Sequence, residues 1–307
     1  MTLPTRKETR SVLIGTLLFF LLTGIFLGIR PEHIYLMGLF LFLFFASSFT
    51  RKLAIALIPF MIFGISYDWM RLIPNYEVNP IDVKELYEAE KALFGIQSEG
   101  QIVTPNEYFA IHNWKVMDFL SGIFYLCWVP VPILFGVWLY FKGERELYLR
   151  LALVFLFVNL IGFAGYYIHP AAPPWYVMLH GFDPVLNTPG ETAGLARFDA
   201  VTGLEIFGSI YSRNANVFAA VPSLHSAYMV IPLYYAIKGK SHPLLIGLFA
   251  VILVGIWFTA VYTAHHYLID VLLGIACALV GIFVFEKILL RTKWFSKFFN
   301  TYYGYIR

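Results

Sequence analysis

Residues 243–263 read PLLIGLFAVILVGIWFTAVYT, a stretch that contains no charged side chain. A membrane-spanning helix needs about 20 mostly apolar residues, so this stretch predicts a helix that crosses a bilayer. Further runs of the same character lie at 11–29, 33–49, 53–70, 118–141, 148–168, 218–237 and 266–290. We therefore expect an all-α fold, a polytopic membrane helix bundle of about eight transmembrane helices.

The composition of the whole chain agrees with a membrane setting. Charged residues make up 13% of the 307 positions and hydrophobic residues 59%, whereas a soluble domain is about 25% charged. The net charge of +3 is small and no Lys/Arg cluster lies on a soluble surface, so no nucleic-acid partner is expected. Cys127 and Cys277 both lie inside apolar runs. They predict neither a disulfide framework nor a metal site.

Positive charge is divided unevenly between the two faces that eight helices define. Of the 22 Lys and Arg residues, 15 lie on the face that holds both termini and 7 on the other. Cytoplasmic loops are enriched in Lys and Arg, so we expect cytoplasmic termini. The two long loops, 71–117 and 169–217, then lie on the non-cytoplasmic face. The run 11–29 is expected to be the first helix, since it lacks a clear cleavage site for a removable signal.

The two long loops differ in character. Loop 71–117 is acidic, and its segment 82–94 has apolar residues at helical spacing. This segment could lie on the membrane surface or pack as a solvated helix on the protein, and the sequence does not separate these alternatives. Loop 169–217 is rich in Gly and Pro. Loops longer than about 15 residues are usually functional or disordered, which makes both loops of interest.

His266 and Asp270 lie four residues apart at the start of the last predicted helix. That spacing places both side chains on one helical face. An unpaired carboxylate in an apolar helix would be costly, so we expect Asp270 to hold the His266 imidazole in one tautomer, as in catalytic triads. A hydrogen-bonded pair with a structural role would show the same spacing. His265 lies about 100° further round the helix and is given a supporting role or none.

His225 follows Pro222 and Ser223 at the start of another predicted helix on the same face. Helix N-termini attract anions such as phosphate, and a histidine there can donate and accept protons near neutral pH. The alternative is an interfacial histidine beside Ser223 as a helix cap.

Together these segments resemble the lipid phosphatase/phosphotransferase superfamily, the type-2 phosphatidic acid phosphatases. Residues 222–225 match its Pro-Ser-x-His motif, and His266 with Asp270 matches the His-x-x-x-Asp that ends its third motif. The resemblance covers about the last six predicted helices and implies a six-helix catalytic core. It implies this division of the chain: residues 1–50 as a two-helix addition, 51–295 as the lipid phosphotransferase domain and 296–307 as a cytoplasmic tail.

The arginines of the phosphatase branch are missing. That branch has Arg third in its Pro-Ser-Arg-His motif and another Arg six residues before the nucleophilic His; here those positions are Leu224 and Ala260. The branch's first motif is absent as well. A phosphate monoester is close to a dianion and its transfer relies on such cations, whereas a diester carries one charge. The departures therefore favour a transferase that uses a diester.

Further segments resemble the inositol phosphorylceramide synthase branch, relatives of the sphingomyelin synthases. Residues 170–176 match its Pro-x-x-Pro-Pro-Trp-Tyr element, and 265–270 match His-His-Tyr-x-x-Asp. Residues 67–71 match the Tyr-Asp-x-x-Arg of bacterial members, which makes Arg71 the candidate phosphate cation, with an ordinary interfacial arginine as the alternative. Weaker candidates are Arg213 and Arg197. The other residues expected near substrate are Asp68, Tyr166, Pro173, Trp175, Tyr176, Ser223 and His265.

The resemblance implies a two-step transfer. His266 attacks the phosphorus of phosphatidylinositol, Asp270 orients it, and His225 protonates the departing diacylglycerol oxygen. His225 then takes the proton of the ceramide hydroxyl, which attacks the phosphohistidine. The expected partners are thus lipid substrates in a membrane. No metal or other cofactor is expected, because no carboxylate cluster or His/Cys ligand set accompanies these residues.

Three other functions fit parts of the pattern. The first is a phosphatase acting on phosphatidic acid, phosphatidylglycerol phosphate or a polyprenyl diphosphate. The second is a transferase of another headgroup, such as phosphocholine or phosphoethanolamine. The third is a transporter, because intramembrane ionisable groups also mark ion paths, although here they cluster at helix ends on one face. The short chain suggests a bacterial inner membrane with a periplasmic site; a eukaryotic homologue would place the site in the Golgi lumen. The sequence does not specify the oligomeric state.

Overall fold

A computed structural model describes residues 3–212 and 216–307 as a helical bundle. The α-helices in these ranges are α1 (Arg6–Phe26), α2 (Pro31–Ala46), α3 (Ser48–Ala56), α4 (Ile58–Trp69), α5 (Lys84–Phe94), α6 (Pro105–Ile111), α7 (Lys115–Leu126), α8 (Pro130–Lys142), α9 (Arg145–Ile168), α10 (Pro174–His180), α11 (Ala196–Thr202), α12 (Ile206–Tyr211), α13 (Leu224–Tyr228), α14 (Val230–Lys238), α15 (Pro243–Tyr262), α16 (Leu268–Phe283) and α17 (Lys293–Ile306). Strands β1 (Ile96–Ser98) and β2 (Gln101–Val103) form a short antiparallel hairpin with Ile96 opposite Val103. The predicted all-α polytopic bundle is confirmed, and the chain is a multi-pass membrane protein.

Within the described ranges, four helical segments are long and apolar enough to cross a bilayer unaided. They are α1, α9, α15 and the continuous segment Leu268–Arg291 that begins with α16. The count rises to six if α3 with α4, and α7 with α8, each form one bent span. The predicted spans 33–49 and 218–237 correspond to α2 and to α13 followed by α14, which are shorter. The total of eight crossings therefore stays a prediction.

Both bent spans break at proline. The axes change direction by 45° between α3 and α4 and by 46° between α7 and α8. Pro59 lies in the first turn of α4, and Pro130 begins α8. Proline lacks a backbone N–H and clashes with the carbonyl four residues earlier, so an α-helix starts at such positions more easily than it passes through them.

The outer surface is apolar, as expected for a bundle surrounded by lipid. Helix α1 buries Thr16 and Thr23 while Leu17 and Ile25 stay exposed. This arrangement inverts the usual pattern of soluble proteins, whose surfaces rarely carry large continuous apolar patches. Helix α9 lies at the centre, where α4, α8, α13, α14 and α16 pack around it.

Loop 71–117 folds onto the protein. Its segment 82–94 forms α5, whose Leu86, Tyr87 and Glu90 are buried against the bundle. The segment therefore follows the second of the two alternatives, a helix that packs on the protein.

The segment 296–307 belongs to α17. Phe299 and Ile306 are buried, and the Tyr302 hydroxyl donates to the carbonyl of Ile55 at 2.6 Å. The residues expected as a tail thus pack against α3 and α9. The boundaries of the three predicted divisions remain predictions.

Candidate active site

His266 lies in the short turn between α15 and α16. Ala264 adopts a left-handed conformation (φ 60°), and the N–H of His266 donates to the carbonyl of Ala260 at 2.9 Å. The predicted start of the last helix at 266 is wrong by two residues, because the Asp270 carboxylate accepts the N–H of Tyr267 at 2.9 Å and so caps a helix that begins at Leu268. The pairing of His266 with Asp270 is therefore made across a helix cap.

The predicted pair is nonetheless in contact. His266 Nδ1 lies 3.5 Å from Asp270 Oδ2, and both side chains are buried. A buried carboxylate is costly unless a charge or donor faces it; here the N–H of Tyr267 donates to Oδ2, and Nδ1 of the imidazole faces the same oxygen. A proton on Nδ1 leaves the lone pair on Nε2, the nitrogen that points away from Asp270.

His225 meets that free nitrogen. It lies on α13, which begins after Ser223, the residue whose hydroxyl accepts the N–H of Ser226 at 3.4 Å. His225 Nδ1 is 3.1 Å from His266 Nε2, although the two residues are 41 positions apart. The structure thus places His225, His266 and Asp270 in one continuous array.

Close packing of α13 against α16 makes this contact possible. The N–H of Ser223 donates to the carbonyl of Asp270 at 3.0 Å. A Cβ atom on Gly274 would lie 2.0 Å from the carbonyl oxygen of Ser223, so a larger residue at 274 would separate the helices. Glycine at this position therefore lets the two histidines approach.

Aromatic rings hold the histidine side chains from the other side. Tyr125 stacks on His225 with 4.8 Å between centroids and on His265 with 5.5 Å. Tyr211 also stacks on His265, at 4.5 Å, and Trp128 lies 4.6 Å from His225. Sequence analysis missed Tyr125, Trp128 and Tyr211, since one aromatic residue among so many carries no distinguishing signal.

His265 is buried and held separately from the array. Its Nε2 lies 3.0 Å from the carbonyl of Thr192. Burial lowers the pKa of His265 to about 3, so the ring is neutral near pH 7 and donates to that carbonyl. This geometry fits the supporting role considered for His265.

The two histidines of the array open into a cavity of about 540 Å³. Predicted substrate contacts that line it are Tyr166, Pro173, Trp175 and His265. Further polar residues of its wall are Tyr67, Tyr125, Ser209, Tyr211, Asn216 and Tyr228. Within the described ranges the wall contains no Asp, Glu, Lys or Arg. Polar recognition here therefore comes from hydroxyl, amide and imidazole groups.

Other predicted substrate contacts lie away from the wall. Ser223 is fully buried beneath the array. Tyr176 is also fully buried, and its hydroxyl donates to the carbonyl of Asp183 at 2.9 Å. Both side chains hold the protein together where they lie, because their polar atoms bond to neighbouring protein groups. Their proposed contacts with substrate remain predictions.

The candidate cations occupy different settings. Arg71 lies 3.2 Å from Asp68, which also pairs with Arg30 and with His33. Neither Arg71 nor Asp68 belongs to the described cavity wall. Arg197 forms a 2.6 Å ion pair with the buried Asp118.

Arg213 lies outside the described residues. The identity of a phosphate-binding cation therefore stays a prediction.

Apolar packing fills the two positions where phosphatases carry arginine. Leu224 lines the cavity and packs against Gly162, where a Cβ would lie 2.4 Å from its side chain. Ala260 is fully buried, and its carbonyl accepts the N–H groups of both His265 and His266. An arginine at 260 would have to displace this packing.

In residues 3–212 and 216–307, His, Cys, Asp and Glu side chains form no group of three or more that could hold a metal ion.

Comparison with known proteins connects this site to a family. A family model described as the PAP2 superfamily matches residues 84–284. The phosphoinositol dihydroceramide synthase of Bacteroides thetaiotaomicron is 64% identical over 99% of this chain and 100% of the relative. No solved structure matches the chain.

Two fungal proteins are more distant. The inositol phosphorylceramide synthase of Candida albicans is 26% identical over 80% of this chain and 54% of the relative. The inositol phosphorylceramide synthase catalytic subunit of Saccharomyces cerevisiae is 26% identical over 75% of this chain and 55% of the relative. The chain spans about half the length of these fungal relatives.

Proposed function

This chain belongs to the PAP2 superfamily, and we propose that it transfers phosphoinositol from phosphatidylinositol to ceramide and releases diacylglycerol. The observation that carries the proposal is the array of His225, His266 and Asp270 at a cavity without Lys or Arg in its described wall. The similarity to the phosphoinositol dihydroceramide synthase of Bacteroides thetaiotaomicron supports it.

In the first step His266 is the nucleophile. Its Nε2 lone pair attacks the phosphorus of the donor while Asp270 faces the proton on Nδ1. The bond from phosphorus to the glycerol oxygen breaks, and protonated His225 gives its proton to that oxygen. Diacylglycerol leaves and phosphoinositol stays on His266. Covalent catalysis of this kind divides one difficult transfer into two easier ones.

The second step runs through the same groups in reverse. The primary hydroxyl of ceramide enters the cavity, and neutral His225 takes its proton. The hydroxyl oxygen forms a bond to phosphorus as the bond to His266 Nε2 breaks. The product carries phosphoinositol, and the array returns to its starting protonation state. His225 therefore serves as the acid in the first step and as the base in the second.

The uncharged side chains of the described cavity wall favour a diester with an uncharged headgroup. The described wall offers no cation for a phosphate dianion and no carboxylate for an ammonium headgroup. Inositol is a polyol, and the hydroxyl, amide and imidazole groups of the described wall are of the kind that bond to hydroxyl groups. Phosphatidylinositol fits this lining better than phosphatidic acid or phosphatidylethanolamine does.

The distribution of positive charge supports a proposal for the compartment. In the predicted topology the array and the long loops lie on the face that is poorer in Lys and Arg, which predicts the non-cytoplasmic side. We place the site on the periplasmic face of a bacterial inner membrane. Protease protection of an epitope inserted in loop 71–117, measured in inverted vesicles, tests this orientation.

A lipid-exchange assay tests the proposed activity. Purified protein in detergent receives phosphatidylinositol and ceramide, and diacylglycerol and the inositol-containing product are measured by mass spectrometry. Parallel reactions replace the donor with phosphatidylcholine, phosphatidylethanolamine or phosphatidic acid. We expect transfer from phosphatidylinositol and no release of inorganic phosphate from phosphatidic acid.

Phosphate release from phosphatidic acid without transfer would instead identify a phosphatase. His112→Ala is a control for substitutions of His225 and His266, because His112 is exposed on loop 71–117 and bonds locally to Tyr108. It should leave the transfer rate unchanged.

A further inference from the structure

Loop 71–117 contributes a buried amide to the main chain around His266. Asn106 lies on α6 and is fully buried. Its Nδ2 donates to the carbonyl of His266 and to the carbonyl of Val261, each at 2.9 Å. One side chain thus ties the end of α15 to the residue that carries the catalytic imidazole.

The same loop contributes a buried carboxylate on the other side of His266. Glu90 lies on α5 and is fully buried. Its two oxygens accept the N–H groups of Leu268 at 2.9 Å and Ile269 at 3.1 Å. These N–H groups open α16 and have no partner within the helix. A carboxylate at a helix N-terminus is stabilising, so Glu90 fixes where α16 begins.

The segment between these two contacts is short and irregular. Residues 263–267 form a turn between two helices, and Ala264 in this turn has a left-handed conformation. The N–H groups of the turn donate to carbonyls of α15 or to the Asp270 carboxylate, whereas the carbonyl of His266 and the N–H groups of Leu268 and Ile269 are bound by side chains of loop 71–117. Asn106 and Glu90 hold its two ends, and the ring between them faces His225 and Asp270.

We infer that Asn106 and Glu90 are positioning residues for the reaction, and that loop 71–117 sets the reactive geometry of His266. The inference rests on the proposed function, in which Nε2 of His266 must face the phosphorus. Neither side chain lines the described cavity wall. They act through the main chain of the nucleophile segment, and a misplacement of about 1 Å can reduce a rate about 100-fold.

Asn75 provides a matched control. It lies on the same loop and is also fully buried, and its Nδ2 likewise donates to two carbonyl groups. Those carbonyls belong to Tyr166 and Phe218, each at 2.8 Å, and lie outside the nucleophile segment. Removal of either amide therefore breaks two buried hydrogen bonds, but only the Asn106 amide binds the main chain of His266.

The test compares Asn106→Ala, Asn75→Ala and Glu90→Gln in the lipid-exchange assay, with thermal unfolding measured on each protein. We expect Asn106→Ala and Glu90→Gln to lower kcat about 100-fold at nearly unchanged KM. Asn75→Ala should lower the unfolding temperature as much as Asn106→Ala does, with a far smaller loss of kcat. Glu90→Gln keeps the shape and one acceptor oxygen, so it stays informative if Asn106→Ala folds poorly.

A second readout does not depend on activity. The imidazole nitrogen resonances of His266, assigned by their absence in His266→Ala, should shift in Asn106→Ala and Glu90→Gln and stay in place in Asn75→Ala. Equal effects of all three changes on kcat and on the resonances would overturn the inference and leave a structural role for the loop. A wild-type protein without transfer activity would instead refute the proposed function, and the resonances would still decide the inference.

Discussion

His225 Nδ1 lies 3.1 Å from His266 Nε2, and this contact joins two helices whose sequences are 41 residues apart. Asp270 lies on the opposite side of the His266 ring at 3.5 Å. The contact means that His266 can attack a phosphorus while His225 is close enough to protonate the oxygen that leaves the same phosphorus. A site of this form can pass a group between two lipids without a second acid.

Asp270→Asn should reduce transfer by about 10²–10⁴-fold with little effect on folding. The amide oxygen can still accept the N–H of Tyr267, which keeps the helix cap. That oxygen, Oδ2, is also the one that faces Nδ1 of His266, so the neutral amide removes the negative charge with which Asp270 holds the proton on Nδ1 and stabilises the positive ring formed when Nε2 attacks. Steady-state rates measure the loss, and a rate within a factor of about three of wild type would refute the orienting role.

His225→Gln should slow both half-reactions for natural lipids, because the glycerol oxygen leaves poorly without a proton. A donor analogue whose leaving group is a phenol needs little protonation. We therefore expect the first half-reaction with that analogue to be nearly normal in His225→Gln, while transfer to ceramide stays slow. Equal losses with both donors would contradict the assignment of His225 as the acid.

His265→Phe should reduce the loss of unfolding free energy that the protein shows as the pH falls. Burial holds the pKa of His265 at about 3 in the folded protein, below the unfolded value of about 6.5. The unfolded chain therefore binds this proton first, and stability is lost as pH falls from 6.5 toward 3. The loss is up to about 1.4 kcal/mol per pH unit.

Phenylalanine keeps the stack with Tyr125 and Tyr211 but cannot titrate. Unfolding midpoints at pH 6.5 and pH 5 should thus differ more for wild type than for His265→Phe. The same difference in both proteins would show that the His265 imidazole gains a proton in the folded state.

Ala260→Arg should destabilise the protein by about 3 kcal/mol or more, since the side chain at 260 is fully buried and would bring an unpaired charge. Leu224→Arg should cost less, because position 224 borders the cavity. Thermal unfolding in detergent compares the two variants. Equal stability of Ala260→Arg and wild type would show that the core around 260 can accommodate the arginine of the phosphatase branch.

Short-range patterns explain what could be predicted from the sequence. The apolar runs predict the helical bundle because lipid selects for length and hydrophobicity. The four-residue spacing predicts the contact of His266 with Asp270, although a helix cap rather than a continuous helix makes it. The predicted topology puts His225 and His266 on one face, and the family resemblance assigns both to one site, but no local rule predicts a direct contact between positions so far apart.

Long-range contacts explain what was missed. Asn106 and Glu90 look like ordinary residues of an acidic loop. Their hydrogen bonds to the main chain of His266 and Leu268 join positions more than 150 residues apart. Tyr125 is one of 20 tyrosines, and its stacking on two histidines depends on how α7 packs. Arg71 remains a candidate cation, and its ion pair with Asp68 has the local i,i+3 spacing, but the long-range pairing of Asp68 with Arg30 and His33 could not be anticipated.

Trapping of the covalent intermediate tests the central proposal most directly. Purified protein is mixed with phosphatidylinositol labelled in its phosphate, without an acceptor lipid, and stopped within one turnover. We predict an acid-labile label that maps to the peptide containing His266, is absent in His266→Ala, and moves to ceramide when ceramide is added. Transfer by His266→Ala at the wild-type rate would contradict the account.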